Sequence, residues 1–278
     1  MTINCNGSLI DLSSPKIMGI LNLTPDSFYD GGNYKNELQI LNQVEKMLRE
    51  GATFIDLGAY SSRPGADHIS EEEEKKRILP IIKLILSKFP KTILSIDTFR
   101  SKVAEESLEI GAAIINDISA GNLDEHMLDI IAKYQVPYIM MHLKGTPQNM
   151  ATLDNYTNLI KDVLHYFSKQ ISLARVKKIN DIIVDPGFGF AKNASQNFEL
   201  LANFELFKTF ELPLLVGLSR KSMVYKTLKT NPKNALNGTT ALHMVALQNG
   251  AHILRAHDVK EAKECITLFN ALEATPNS

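Results

Sequence analysis

Eight short apolar runs, each leading to a polar or charged residue, restrict what this 278-residue chain can fold into more than any other feature. Residues 17–21 run into Asn22, 54–57 lead to Ser61-Ser62-Arg63, 93–96 end on Asp97, and 114–115 end on Asn116. Residues 138–141 end on His142, 182–184 on Asp185, 214–216 lead to Ser219-Arg220-Lys221, and 253–254 lead to Arg255 and His257. Runs of at most five residues are too short for a buried helix and suit strands covered on both faces. Most are separated by stretches of helical periodicity. The pattern predicts an α/β fold, a (β/α)8 (TIM) barrel formed by one domain over residues 1–278. In such a barrel the chemistry sits at the C-terminal ends of the strands, where these polar residues fall.

Residues 2–5 and 8–12 flank Asn6-Gly7, a type I′ turn pair, and predict a short N-terminal β-hairpin plugging the barrel's N-terminal mouth. Hydrophobic residues make up 44% of the chain, enough for a sizeable core. The formal net charge of −1, with Lys and Arg scattered, argues against a nucleic-acid or acidic-membrane partner. Cys5 and Cys265 form no metal-type or redox-type pair and read as reduced thiols. Asn4, Asn6 and Asp11 interrupt any secretory signal, and no apolar stretch approaches the ~20 residues that span a bilayer. The expectation is a soluble, cytoplasmic protein.

Ser70 and Glu73 predict a capping box, and the acidic run 71–74 followed by Lys75-Lys76-Arg77 predicts a solvated helix start. Residues 155–177, 195–202, 238–248 and 259–271 read as barrel helices, with Gly111 and Gly250 as helix stops. Two connections, 24–34 and 61–69, exceed the usual βα turn of about 2–6 residues and are expected to be substrate loops or lids.

Asn22, Asp97, Asn116, Asp185, Lys221, Arg255 and His257 form the candidate site. Two carboxylates and an amide match the donor-rich edge of a nitrogen heterocycle. An internal salt bridge, such as Asp185 with Lys221, would account for one such residue; seven at successive strand ends favour a polar ligand site. Arg255 and His257 share one side of a strand, and the first strand, which ends on Asn22, neighbours it in a closed barrel. Together they could hold an anion, with Asn22 offering an oxygen to a hard cation such as Mg2+. Dinucleotide and phosphate-loop spacings are missing, as is any Ser–His–Asp or Cys–His arrangement.

The motifs carry a resemblance. The stretch from Ile17 to Gly32, Ile-Met-Gly-Ile-Leu-Asn-Leu-Thr-Pro-Asp-Ser-Phe-Tyr-Asp-Gly-Gly, resembles the first signature of the dihydropteroate synthase family of pterin-binding TIM barrels. Ser62-Arg63-Pro64-Gly65-Ala66, Asp97-Thr98, Asn116-Asp117, the stretch from Asp185 to Phe190, Ser219-Arg220-Lys221-Ser222 and Arg255-Ala256-His257-Asp258 follow in the family's order. The resemblance covers roughly residues 16–260. It implies a transferase of folate biosynthesis, a sulfonamide target, that joins 4-aminobenzoate to a dihydropterin pyrophosphate and releases pyrophosphate. It places the pterin ring on Asp97, Asn116, Asp185 and Lys221, with Arg255 against the ring face. It assigns the pyrophosphate to Asn22, Ser62, Arg255 and His257, with Mg2+ on Asn22, and the 4-aminobenzoate pocket to Phe28, Pro64, Phe190, Lys221 and Ser222. Asp30, Arg63, Lys221, Arg255 and His257 are the implied catalytic set, and a homodimer is the implied assembly. Ala59 and Tyr60 stand where many members have Gly and Glu, so any role of that glutamate is missing here. A pterin-dependent corrinoid methyltransferase and a non-catalytic pterin-binding barrel are the competing readings. The first would not need the Arg255/His257 pair or the loop at Ser62; the second would be favoured by damage to Asn22, Asp30 or Lys221, and all three are intact.

Overall fold

A computed structural model describes residues 1–23, 34–61 and 68–274. The chain opens with β1 (Thr2–Cys5) and β2 (Ser8–Asp11), an antiparallel hairpin turned by Asn6 and Gly7 at φ 50° and 85°. Alternating elements follow: β3 (Lys16–Asn22), α1 (Tyr34–Glu50), β4 (Phe54–Gly58), α2 (Glu71–Lys88), β5 (Ile93–Asp97), α3 (Ser101–Ile110), β6 (Ile114–Asp117), α4 (Met127–Tyr134) and β7 (Tyr138–Met141). The second half contains α5 (Leu159–Val176), β8 (Ile182–Asp185), α6 (Ala194–Ala202), β9 (Leu215–Val216), α7 (Ser222–Thr227), α8 (Leu236–Gln248), β10 (Ile253–Ala256) and α9 (Val259–Glu273).

The eight strands after the hairpin are parallel in the order β8-β7-β6-β5-β4-β3-β10-β9. A bridge between Val184 and Leu214, where the Val184 N–H donates to the Pro213 carbonyl at 2.9 Å, joins the two ends of the sheet. The result is the TIM barrel anticipated above, closed at its weakest seam by the two-residue β9.

Strand parity decides what faces where. Ile17, Leu21, Ile55, Leu57, Leu94, Ile96, Ile115 and Val184 lie in the layer between sheet and helices. Met18, Phe54, Ile114, Ile139, Ile183, Leu215 and Ile253 point inward and pack with Ile3, Cys5 and Leu12, so the hairpin does plug the N-terminal end. Two residues further along, the inward positions become polar: Asp56, Ser95, Asn116, Asp185 and Arg255. The hydrophobic lower barrel thus supports a polar upper one.

The helices bury stripes at three- and four-residue spacing, such as Ile40, Val44 and Met47 on α1 and Ile78, Ile82 and Ile85 on α2. Each such side chain contributes about 1.5–3 kcal/mol on burial. Two helix starts differ in detail from expectation. The fifth helix begins at Leu159 rather than 155, because the Asn158 side chain caps it by accepting from the Lys161 N–H at 3.0 Å. Ser70 accepts the Glu73 N–H at 3.1 Å, but the Glu73 carboxylate turns to Arg77 Nε at 2.8 Å, so only half of the capping box forms. Glu74 is not solvated: it is fully buried and ion-paired with Arg100, whose Nη2 also donates to the Ile69 carbonyl at 2.5 Å. Gly111 and Gly250 stop their helices at φ 118° and 98°. Cys5 and Cys265 are buried, unbridged thiols.

Candidate active site

Five of the expected residues converge on the C-terminal mouth, and a residue outside the expected set holds two of them. Arg255, near the end of β10, donates from Nε to Asp56 Oδ2 at 2.6 Å; its Nη2 lies 2.6 Å from the same oxygen and 2.8 Å from Asp97 Oδ2. Asp56 also accepts from Ser95 Oγ at 2.6 Å and from Asn116 Nδ2 at 3.2 Å. It is fully buried. Asp56 sits inside an apolar run, two residues before the strand end, on the same inward face as Phe54 and Gly58. A search of strand ends passes over it; the period-2 pattern of the strand is the signal that marks it.

Burial lifts Asp97 from the usual carboxylate range to about 7, with Arg255 pulling it down and Asp56 pushing it up. Burial also raises Asp185, against the opposing pull of Lys221 and of the Gly187 N–H, which donates to it at 2.8 Å. Lys221, which precedes α7, is lowered to about 8 by burial, with Asp185 opposing. Its Nζ donates to the Phe188 carbonyl and stands 4.5 Å from the centre of the Phe190 ring. For Arg255, burial opposes the charge, but Asp56 and Asp97 more than offset it.

Behind the ring of strand ends lies a second unexpected group. Lys192 Nζ donates to the Gly187 and Phe190 carbonyls at 3.0 and 3.1 Å and lies 2.9 Å from His142 Nδ1. Burial lowers Lys192 to about 7 and holds His142 well below the ordinary imidazole value, so the histidine stays neutral. This ammonium staples the turn that carries Asp185 at one end and Phe190 at the other. The turn needs its glycines: Gly187 has φ 74°, and a Cβ there would lie 2.3 Å from the His142 carbonyl oxygen.

The other expected residues are more dispersed. Asn22 ends β3 opposite Gly58, and a Cβ on Gly58 would stand 3.8 Å from Asn22 Oδ1 and 3.6 Å from Asp97 Oδ2. The missing side chain therefore opens one space that both oxygens border. His257 lies just past β10 with Nδ1 3.0 Å from Ser219 Oγ, whereas Arg255 turns to the two carboxylates. The two residues expected to form one anion site thus have different hydrogen-bond partners. Arg220, at φ 55°, forms a two-pronged pair with Asp258 at 2.8 and 2.7 Å, tying the loop before α7 to the one before α9. Phe190 is half-buried, and Ser222 is exposed at the first position of α7. Phe28, Asp30, Ser62, Arg63 and Pro64, and most of both long connections, lie outside the described residues. Among the described residues, no group of three or more His, Cys, Asp or Glu side chains could hold a metal ion.

The family model for pterin binding enzymes matches residues 18–257. The chain belongs to the pterin binding enzyme family. Among curated members of that family, dihydropteroate synthase of Escherichia coli (strain K12) is 41% identical over 273 residues, spanning 98% of this chain and 96% of its own. The Synechocystis sp. dihydropteroate synthase is 42% identical over 259 residues, spanning 92% and 89%. Solved pterin binding enzymes superpose closely. Yersinia pestis dihydropteroate synthase, in a sulfonamide drug complex, has a TM-score of 0.92 at 41% identity, covering 99% of this chain and 100% of that one. The Xanthomonas albilineans enzyme, solved with 4-aminobenzoic acid, has a TM-score of 0.91 at 33% identity, covering 99% of each chain.

Proposed function

We propose that this chain is a dihydropteroate synthase: a transferase that condenses 6-hydroxymethyl-7,8-dihydropterin pyrophosphate with 4-aminobenzoate to give 7,8-dihydropteroate and pyrophosphate. The observation that carries this reading is the cluster of Asp97, Asn116, Asp185, Lys221 and Arg255 at the mouth of a barrel so similar in sequence to synthases of that reaction. Asp97 and Asp185 accept ring N–H groups in a site where burial makes each hydrogen bond selective. Lys221 donates to the ring carbonyl edge, and Arg255, anchored by carboxylates, lies flat against the ring face.

The leaving pyrophosphate departs from a methylene on an electron-rich ring, which favours a dissociative route through a resonance-stabilised cation. Catalysis then consists of stabilising the leaving group's charge and excluding water. Arg255 supplies positive charge and His257 a ring N–H donor, with Asn22, Ser62 and Arg63 around the pyrophosphate and Asp30 near the reacting carbon. The aniline nitrogen of 4-aminobenzoate, held among Phe28, Pro64, Phe190, Lys221 and Ser222, attacks without a strong general base. A metal fits this site only in part: Asn22 Oδ1 is a hard oxygen at the mouth, and the described residues offer no acidic cluster. Asn22 would be the protein ligand of a Mg2+ bound together with the pyrophosphate, and the ion would supply charge to neutralise the leaving group. The homodimer rests on the family resemblance; Leu228, Val245, Leu268 and Leu272 are exposed apolar side chains on or beside the last three helices. No helix among the described residues is long and apolar enough to cross a membrane.

The test is direct. The protein, both substrates and Mg2+ should yield 7,8-dihydropteroate by mass spectrometry together with one pyrophosphate per product. Absence of that product with intact, folded protein overturns the assignment.

A further inference from the structure

We infer that Asp56 is a positioning residue that sets which hydrogen-bonding face Asn116 and Arg255 present to the ring, and so helps to determine substrate specificity. This inference rests on the pterin site proposed above.

Asp56 cannot meet a ligand itself. It is fully buried, and its two oxygens already receive Ser95 Oγ at 2.6 Å, Asn116 Nδ2 at 3.2 Å and the Arg255 guanidinium at 2.6 Å. Those donors come from β5, β6 and β10 and meet on a residue of β4. A carboxylate has about four lone-pair positions, so this one is saturated. Its influence must therefore pass through its partners.

For Asn116 the consequence is definite. The two ends of an amide differ only in hydrogen bonding, and an ionised carboxylate accepts but never donates. Asn116 must therefore turn Nδ2 toward Asp56. That leaves Oδ1 and the second Nδ2 hydrogen for the mouth, where Asp97 is its register partner. With Asp97 and Asp185, the ring edge then meets three acceptors, the complement of a donor-rich 2-amino-4-oxo edge. For Arg255, the paired contact from Nε and Nη2 fixes the plane of the guanidinium, while its other carboxylate, Asp97, is partly exposed and can be reached by ligand.

Asp56→Asn keeps the shape and adds a donor. The new amide can turn its N–H toward Asn116, which then flips and presents Nδ2, the wrong polarity, to the ring. Calorimetry with an oxidised 2-amino-4-oxopteridine should show affinity falling by about 30-fold or more in this variant. The KM for 4-aminobenzoate, for which none of Asp56's hydrogen-bond partners is an assigned pocket residue, should move less than about threefold. The double variant Asp56→Asn/Asn116→Asp puts back an acceptor that cannot flip, and should recover about tenfold of the lost pteridine affinity. A purely structural role would lower stability and the active fraction, shift both substrates alike and gain nothing from the second change. If Asp56→Asn does not fold, Ser95→Ala removes one of the bonds that aim the carboxylate, and should weaken pteridine binding about two- to fivefold. Unchanged pteridine affinity in Ser95→Ala or Asp56→Asn, or no recovery in the double variant, overturns the inference. Failure of the wild-type protein to bind the pteridine would instead overturn the proposed function.

Discussion

Replacing Arg255 with Met tests the electrostatics of the site without involving substrate. The methionine keeps most of the stem's volume and removes the guanidinium that lies 2.6 Å from Asp56 and 2.8 Å from Asp97. Removing one partner from a buried ion pair typically costs about 3–5 kcal/mol, because the remaining charge stays buried. With an unfolding entropy of about 2.1 cal/mol/K per residue, a chain of 278 residues should lose about 5–9 °C in Tm at neutral pH. The pH dependence is more diagnostic than the size. Asp97 is raised to about 7 in the folded protein, against about 3.9 when unfolded. The folded state therefore binds more protons between those values, and stability falls as pH rises through that window. Arg255 limits the rise by its attraction, so without it the carboxyl moves higher still. The variant should keep losing stability above pH 7, where the wild type has levelled off. Thermal melts at pH 5 and 8.5 should show a Tm gap that widens at the higher pH, and Asp97→Asn added to the variant should narrow it again. A gap that is constant or smaller at pH 8.5 would refute the argument that Arg255 offsets the buried Asp97 charge.

Two further substitutions probe the turn after β8. Asp185→Asn leaves a buried N–H facing a ring donor and should cost about 2–4 kcal/mol of pterin binding, measured by calorimetry; unchanged affinity would remove Asp185 from the site. Gly187→Ala places a Cβ 2.3 Å from the His142 carbonyl oxygen at φ 74°. Left-handed strain and the overlap together should cost about 2–4 kcal/mol in chemical denaturation, and a variant as stable as the wild type would mean that the turn can rearrange.

Strand ends were legible in the sequence because each strand is buried on both faces, so a polar residue after an apolar run stands out. That rule found Asp97, Asn116, Asp185 and Arg255, and it stopped one layer too high. Asp56 and Ser95 lie below the ends, inside runs that read as core, and only counting by twos from Gly58 or Asp97 exposes them. Glu74 was legible by the same kind of counting: it shares a four-residue spacing with Ile78 and Ile82, which is a buried stripe and not a solvated one. The partners that Arg255 and His257 take up were not legible. Both have inward parity, but their partners lie on other strands or loops, with Asp97 and Asp56 158 and 199 residues from Arg255. Lys192 was hidden for a related reason, since only the folded turn brings its ammonium back onto Gly187 and Phe190.

These residues sort by depth, and depth separates support from exchange. At the bottom, Ile3, Cys5 and Leu12 seal an apolar layer with Met18, Phe54 and Ile253. Above it, Asp56 and Ser95 are fully buried and bonded to each other, and Asn116 is nearly so. Only at the top do charged groups keep some access, with Asp97 and Arg255 each 19% exposed at the side chain. Arg255 spans the boundary, holding a carboxylate it cannot lose on one side and one that can be reached on the other. A ligand entering from the mouth can therefore exchange the Asp97 contact while Asp56 keeps the guanidinium in place. Such a site can rearrange its uppermost hydrogen bonds without repacking the barrel beneath, because the groups that aim them are locked by a layer that no ligand touches.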